Sequence, residues 1–344
     1  MGAVLMPRGE HMWRRQVFLA WMVLSFIGMA GCRPSVGAPT GVPPTGLPQP
    51  TASAWPTSAP TPTQPPAPEG VLLALEPVPA PLEEAAWQAL TALGEAAGLA
   101  VTRAPSVEAL PPGTRLVWVF PAAQGAAVAQ ALPEQRVFIW GPLPADAPPN
   151  LYALDGSAYT PQRLAFAAGY LAALATPDYR VGALLVADEG VEARTQALVH
   201  GMAYYCGLCR PAFPPFGRYP VWAALPPDRP EEAWRQAADA LAQEHGVTLV
   251  YVEAEAIGRR LQEAGEATEG WHFLGMGYNP GVPAPGHLMA GPDLREGLLR
   301  LWEQAQQGGA PSLRVPFVVQ GLSPGKTRWA QETLERLWQG EILP

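Results

Sequence analysis

The sequence predicts an α/β protein built from two doubly wound parallel sheets joined by a hinge. Two observations carry that prediction. Short, continuous apolar runs such as Val71–Leu75, Arg180–Val186 and Val247–Val252 alternate with amphipathic helical segments. Continuous apolarity means strands buried on both faces, and helices between them mean parallel pairing. The alternating region, 71–344, is also too long for one small doubly wound sheet, so two lobes fit it better.

Taken in order, strands are expected at 71–75, 115–120, 136–140, 150–154 and 180–186, then at 247–252, 272–276, 287–290 and 315–319. Helices are expected at 82–97, up to 131, at 160–175, 191–205, 230–245, 255–264, 293–307 and 326–338. The helix at 160–175 carries Ala167, Ala168 and Gly169, a small face suited to close packing on a sheet. Asp293 stands where a helix N-terminus favours a carboxylate. The N-lobe is expected to hold about 71–177 and 287–310, and the C-lobe about 178–286 and part of 311–344.

Ahead of this region the chain changes character twice. Arg14 and Arg15 precede an apolar run from Val17 to Ala30, and Ala30-Gly31 precede Cys32. A charged start, a short apolar stretch and small residues before a cut site make a secretory signal over 1–31. The run is short of the roughly 20 residues that span a bilayer. Cys32 after Ala-Gly resembles a bacterial lipobox, which implies a diacylglycerol on its sulfur and an anchor in the cell membrane on the extracytoplasmic face; palmitate is an expected acyl chain. An uncleaved transmembrane anchor is the alternative. Residues 33–70 contain 12 Pro and six Thr, with Arg33 and Glu69 the only charges. Such a stretch cannot bury enough apolar surface to offset its ordering entropy, so a disordered tether is expected.

Composition narrows the function. The whole chain has 344 residues, 48% hydrophobic, and a net charge of −8. Wholesale disorder and nucleic-acid binding through a basic stripe are both disfavoured. Three Cys exclude a disulfide-rich mini-scaffold. Cys206-Gly207-Leu208-Cys209 ends an apolar helical run and precedes Pro211. A local disulfide is its expected use in an exported chain, against free buried thiols or a redox or metal role. The five His lie at 11, 200, 245, 272 and 287 without i, i+4 spacing, so no metal site and no cofactor are expected. Gly321-Leu322-Ser323-Pro324-Gly325 has the form of a nucleophile elbow. Pro324 lacks the N–H an oxyanion hole needs, and no His follows, so it reads as a turn and the chain as no enzyme.

Several segments resemble the basic membrane protein family of lipid-anchored, substrate-binding components of ABC transporters, many of them nucleoside-binding. Leu164–Leu185, LAFAAGYLAALATPDYRVGALL, is similar to its FLAGYLAA core. The helix 194–205 with Gly201, and the ending LSPGKTRWAQETLERLWQGEILP at 322–344, follow its order. The resemblance implies a type I periplasmic-binding fold, transport through ABC permease subunits, and a small molecule held between lobes. The family's ligand motifs do not carry over. Glu76-Pro77-Val78-Pro79 stands in place of its acidic first loop, and Met289-Ala290-Gly291-Pro292 lacks its Lys. A purine nucleoside is therefore doubtful, and a sensory or structural envelope lipoprotein is the alternative.

In open parallel sheets ligands sit beyond the carboxyl ends of the strands. That rule nominates Phe120, Trp140, Asp188, Glu253 and Tyr278 as ligand-binding residues. Phe213, Phe216, Tyr219 and Trp222 lie in a Pro-rich loop whose aromatics either pack beneath it or line a cleft; Trp222 joins the candidates.

Overall fold

The computed structural model describes residues 69–344 except 215, 255–257, 259–260 and 262–271. The expected signal peptide, Cys32, most of the tether and most of the helix at 255–264 lie outside the described residues. The described residues all belong to one compact unit.

Among the described residues, twelve strands form two six-stranded sheets. In the N-lobe, β1 (Gly70–Ala74), β2 (Val101–Ala104), β3 (Leu116–Phe120), β4 (Arg136–Trp140), β5 (Leu151–Asp155) and β11 (Ser312–Arg314) run in the order β2-β1-β3-β4-β5-β11, all parallel. In the C-lobe, β6 (Val181–Val186), β7 (Val221–Leu225), β8 (Leu249–Val252), β9 (His272–Met276), β10 (Leu288–Pro292) and β12 (Phe317–Gln320) run β7-β6-β8-β9-β10-β12. Only β12 is antiparallel, to β10. Both lobes thus share one strand order, with its reversal point between the first and third strands of each.

The helices cover both faces of each sheet. In the N-lobe, α1 (Ala80–Ala97) and α6 (Leu294–Gln307) pack on one face around Leu72, Trp118, Leu298 and Trp302. The short α2 (Gly125–Ala131) covers the other face, over Val117, Val137 and Ile139. In the C-lobe, α3 (Pro161–Ala175), α4 (Val191–Cys206) and α7 (Pro324–Trp338) share one face. Trp234 of α5 (Glu231–His245) is fully buried on the other, against Leu184, Val250 and Val252. These layers are the two-lobed, doubly wound architecture of the type I periplasmic-binding kind.

Local chemistry sets the helix ends. Thr160 accepts a hydrogen bond from Arg163 N at the start of α3, where Pro161 supplies a preset φ. Asp293 accepts from Arg295 N (3.1 Å) and Glu296 N (3.2 Å) at the start of α6. Gly98, Gly246 and Gly308 close α1, α5 and α6 in the left-handed conformation.

Three differences from the sequence reading matter. The edge strands β2, β7 and β11 were not expected; they are short and half-exposed, so they carry no continuous apolar run. The lobe boundaries also move. Helix α3 belongs to the C-lobe because it packs on α4, and β10 pairs with β9 in the C-lobe sheet, while β11 returns to the N-lobe beside β5. The chain therefore crosses between lobes three times, at 155–161, 292–294 and 314–317. Finally, the small face of α3 serves a helix as well as a sheet. A Cβ on Gly169 would overlap the carbonyl oxygen of Leu198 in α4, and one on Gly201 would overlap that of Phe166 in α3. The two backbones touch.

That contact gives a stability test. Gly201→Ala should lower the unfolding free energy by about 1–3 kcal/mol, the usual cost of overpacking. Urea denaturation measures it; an unchanged midpoint would mean the helices can separate freely.

Candidate functional site

The two sheets face each other through the carboxyl ends of their strands, and a cleft of about 410 Å³ lies there. The N-lobe contributes Trp140 at the end of β4 and Pro79, Pro81 and Leu82 from the start of α1. The first crossing contributes Gly156, Tyr159 and Pro161. From the C-lobe come Tyr251 and Glu253 at the end of β8, and Met276, Gly277 and Tyr278 at the end of β9. Pro292 closes the back at the second crossing.

Each aromatic is placed by its neighbours. Trp140 lies directly over Gly156, where a Cβ would collide with the indole ring. Its ring meets Tyr278 edge-on, with centroids 5.8 Å apart at 85°. Tyr159 packs edge-on against Trp338 at 5.0 Å, and its hydroxyl donates to the carbonyl of Val315. The first crossing is thereby tied to the third.

The segment carrying Tyr278 is held across the lobes. Asn279 has φ 50°, a left-handed conformation that Asn tolerates better than most residues. Its Nδ2 donates to Ala85 O in α1 at 2.8 Å, and its Oδ1 accepts from Leu294 N (2.8 Å) and Arg295 N (3.3 Å) at the start of α6. A residue following a C-lobe strand therefore satisfies two N-lobe helices. Gly291 allows this, since a Cβ there would overlap the carbonyl of Gly277 alongside.

Glu253 is the one carboxylate among the lining residues. Its Oε2 accepts from Val186 N at 2.7 Å. Its Oε1 sits 2.5 Å from Nε of Arg194, an ion-pair contact without linear hydrogen-bond geometry. Arg194 is itself buried in α4, donating to Asp188 Oδ1 (2.8 Å) and to the Val186 carbonyl (2.7 Å). Burial pushes the Glu253 carboxyl above its ordinary range, against the opposing pull of Val186 N and Arg194. The hydrogen bond from Arg194, then that from Gly190 N, holds Asp188 below its ordinary range.

The six residues nominated from the sequence divide evenly. Trp140, Glu253 and Tyr278 line the cleft. Phe120 is buried beneath it, in the N-lobe core beside Trp118. Asp188 belongs to the Arg194 ion pair and not to the lining. Trp222 lies on edge strand β7, partly exposed and away from the cleft. Its loop companions Phe213 and Phe216 are exposed rather than packed. Tyr159, Tyr251 and Met276 were not nominated; the position of Tyr251 inside β8 was readable, but its side chain's reach to the cleft was not. Cys206 and Cys209 are joined by a disulfide. Among the described residues no group of three or more His, Cys, Asp or Glu could hold a metal ion.

No family model matches the chain, and no curated protein matches it. Solved structures do. A transcriptional activator of the comK gene from Bacillus halodurans aligns with TM-score 0.52 at 12% identity, over 80% of this chain and 99% of that one. An ABC transporter solute-binding protein from Aeropyrum pernix K1 aligns at 0.49 and 13%, over 80% and 92%. A LacI family regulator from Arthrobacter sp. FB24, in complex with lactose, aligns at 0.44 and 18%, over 72% and 97%. Of the three, the first exceeds 0.5, and at that identity it shows the fold alone. The chain thus has a two-lobed, doubly wound α/β fold with a cleft at the facing strand ends.

Two expectations follow from the geometry. Asn279→Ala removes the side-chain partner of the Ala85 carbonyl and of Leu294 N, while Arg295 N keeps Asp293, at about 1–3 kcal/mol for each group so stranded. Thermal unfolding should show the loss as a lowered midpoint. The second concerns pH. A carboxyl with a raised folded-state pKa binds its proton more tightly when folded, so its contribution to stability grows as pH falls toward the ordinary Glu range. The stability of the native chain relative to Glu253→Gln should therefore rise between neutral pH and that range. The opposite slope would show that Arg194, not burial, dominates Glu253.

Proposed function

We propose that this chain is a membrane-anchored, extracytoplasmic solute-binding lipoprotein. It captures a small molecule between its lobes and presents it to the permease subunits of an ABC importer. It acts by binding and hinge motion, without chemistry. Three chain crossings joining two sheets at their facing strand ends support a hinge of this kind. The resemblance of 164–185 and 322–344 to the basic membrane protein family, and the lipobox at Cys32, support export and anchoring.

The lining chemistry selects the ligand class, and it is the observation that carries this reading. Trp140, Tyr159, Tyr251, Tyr278, Met276 and the four prolines are mostly apolar. Among the described residues the lining contains no Lys, Arg, Ser, Thr, Asn or Gln. Sugars and nucleosides need several side-chain partners for their hydroxyls, and only Glu253 is a charged one. A flat, largely apolar molecule with one hydrogen-bond donor suits the cleft: its face stacks on Trp140 or Tyr278 and its donor meets Glu253.

A sensory or structural role is the second reading. The Asn279 contacts favour it, because they tie a C-lobe segment to two N-lobe helices and restrain opening.

A thermal-shift screen of the chain against aromatic heterocycles, sugars, nucleosides and amino acids separates these readings. Aromatic ligands should raise the unfolding temperature saturably, by an amount that grows with concentration over Kd. Trp140→Ala should abolish most of that shift. No shift from any class counts against capture and for the second reading. Cys32→Ser should release the protein from membranes or block its processing; unchanged lipid labelling would remove the anchor assignment.

A further inference from the structure

We infer that the loop between α4 and β7 is a second contact with the membrane, inserting shallowly into an anionic lipid surface. Leu208, Phe213 and Phe216 are 79%, 75% and 73% exposed, the apolar side chains of one short connection. Arg210, between Leu208 and Phe213, and Arg218, just after Phe216, are both exposed and, among the described residues, in no ion pair. From Cys206 to Pro220 there is no acidic residue, in a chain whose net charge is −8. A local cationic and apolar surface on an acidic protein is complementary to anionic headgroups over acyl chains.

The backbone suits such a place. Buried polar groups in an interface must be satisfied internally. Pro211, Pro214, Pro215 and Pro220 have no N–H to strand. Arg180 Nη2 donates to the carbonyls of Phe213 and Pro214, each at 2.7 Å, turning them inward while the side chains point out. The Cys206–Cys209 disulfide braces the stem, and Trp329 of α7, itself 53% exposed, packs at a tilt on the adjacent Tyr205 with centroids 5.6 Å apart. The loop precedes β7 and so lies at the amino-terminal edge of the C-lobe sheet, clear of the cleft.

A second copy of the chain is a poorer occupant. In a two-fold dimer a patch meets itself, which would set Arg210 and Arg218 against their equivalents. The proposed anchor has the reach for a lipid contact: the 36 residues between Cys32 and residue 69 are long enough to span at most about 110 Å, against roughly 50 Å across a body of this size. Only this reach rests on the anchor reading; charge, exposure and backbone satisfaction do not.

Hydrogen exchange over 207–220 in the full chain tests the loop directly. Vesicles of phosphatidylcholine alone are compared with vesicles containing added phosphatidylglycerol, both in excess. Exchange should slow several-fold with the anionic vesicles. Phe213→Ser with Phe216→Ser should remove the protection, and Arg210→Gln and Arg218→Gln should weaken vesicle binding about fivefold for each arginine. Equal exchange in buffer and in both vesicles overturns the proposal. Protection without lipid that rises with protein concentration overturns it in favour of self-association, and protection only with a co-reconstituted membrane protein in favour of a protein contact. Cys32→Ser separates the two readings: if the anchor assignment alone is wrong, the loop is still protected by excess anionic vesicles.

Discussion

Three backbone crossings connect the two lobes, and one buried amide ties them together. Asn279 gives its side-chain N–H to an α1 carbonyl and its oxygen to the N–H groups that open α6. Helix starts leave unpaired donors, and a buried start without partners is costly. The C-lobe strand end therefore completes the N-lobe fold. The position of Tyr278, one residue earlier, follows from it, and so does the aromatic edge contact with Trp140 that shapes the cleft. The close approach at Gly291 and Gly277 exists to bring these two segments side by side.

The C-lobe carries its own polar knot at the corresponding strand ends. Arg194 is buried, and a buried guanidinium is tolerable only if its charge and its donors are met. Asp188, Glu253 and the Val186 carbonyl do this together. Asp188 is thus spent on structure, although its position after a strand invites a ligand role. Glu253 serves both sides, since it braces the knot and faces the cleft. The remaining lining is aromatic and aliphatic, so recognition there depends on stacking and shape more than on a set of hydrogen bonds.

Much of the fold was legible because central strands of parallel sheets are apolar on both faces. β1, β3, β4, β6, β8 and β9 stand close to their expected places. The edge strands were not legible, for the same reason: β7 alternates half-buried and exposed residues, and a Pro-rich loop leads into it. The candidate site was half legible. Strand-end position found Trp140, Glu253 and Tyr278, but it could not separate them from Phe120, whose ring turns into the core, or from Asp188, which Arg194 claims.

The sequence by itself determined that the globular region is α/β, that its sheets are parallel, as they are in all but the antiparallel edge strand β12, and covered on both faces, and that its helices begin and end near particular caps. These are local or periodic properties, set by side-chain alternation and by Pro, Gly, Thr and Asp at helix ends. Only the tertiary structure decided which lobe owns α3, β10 and β11, which strand-end side chains turn toward the cleft, and that one asparagine joins the lobes. Those outcomes depend on pairing and burial between residues far apart in the chain. Ala85 and Asn279 are 194 residues apart, and no local pattern encodes their hydrogen bond.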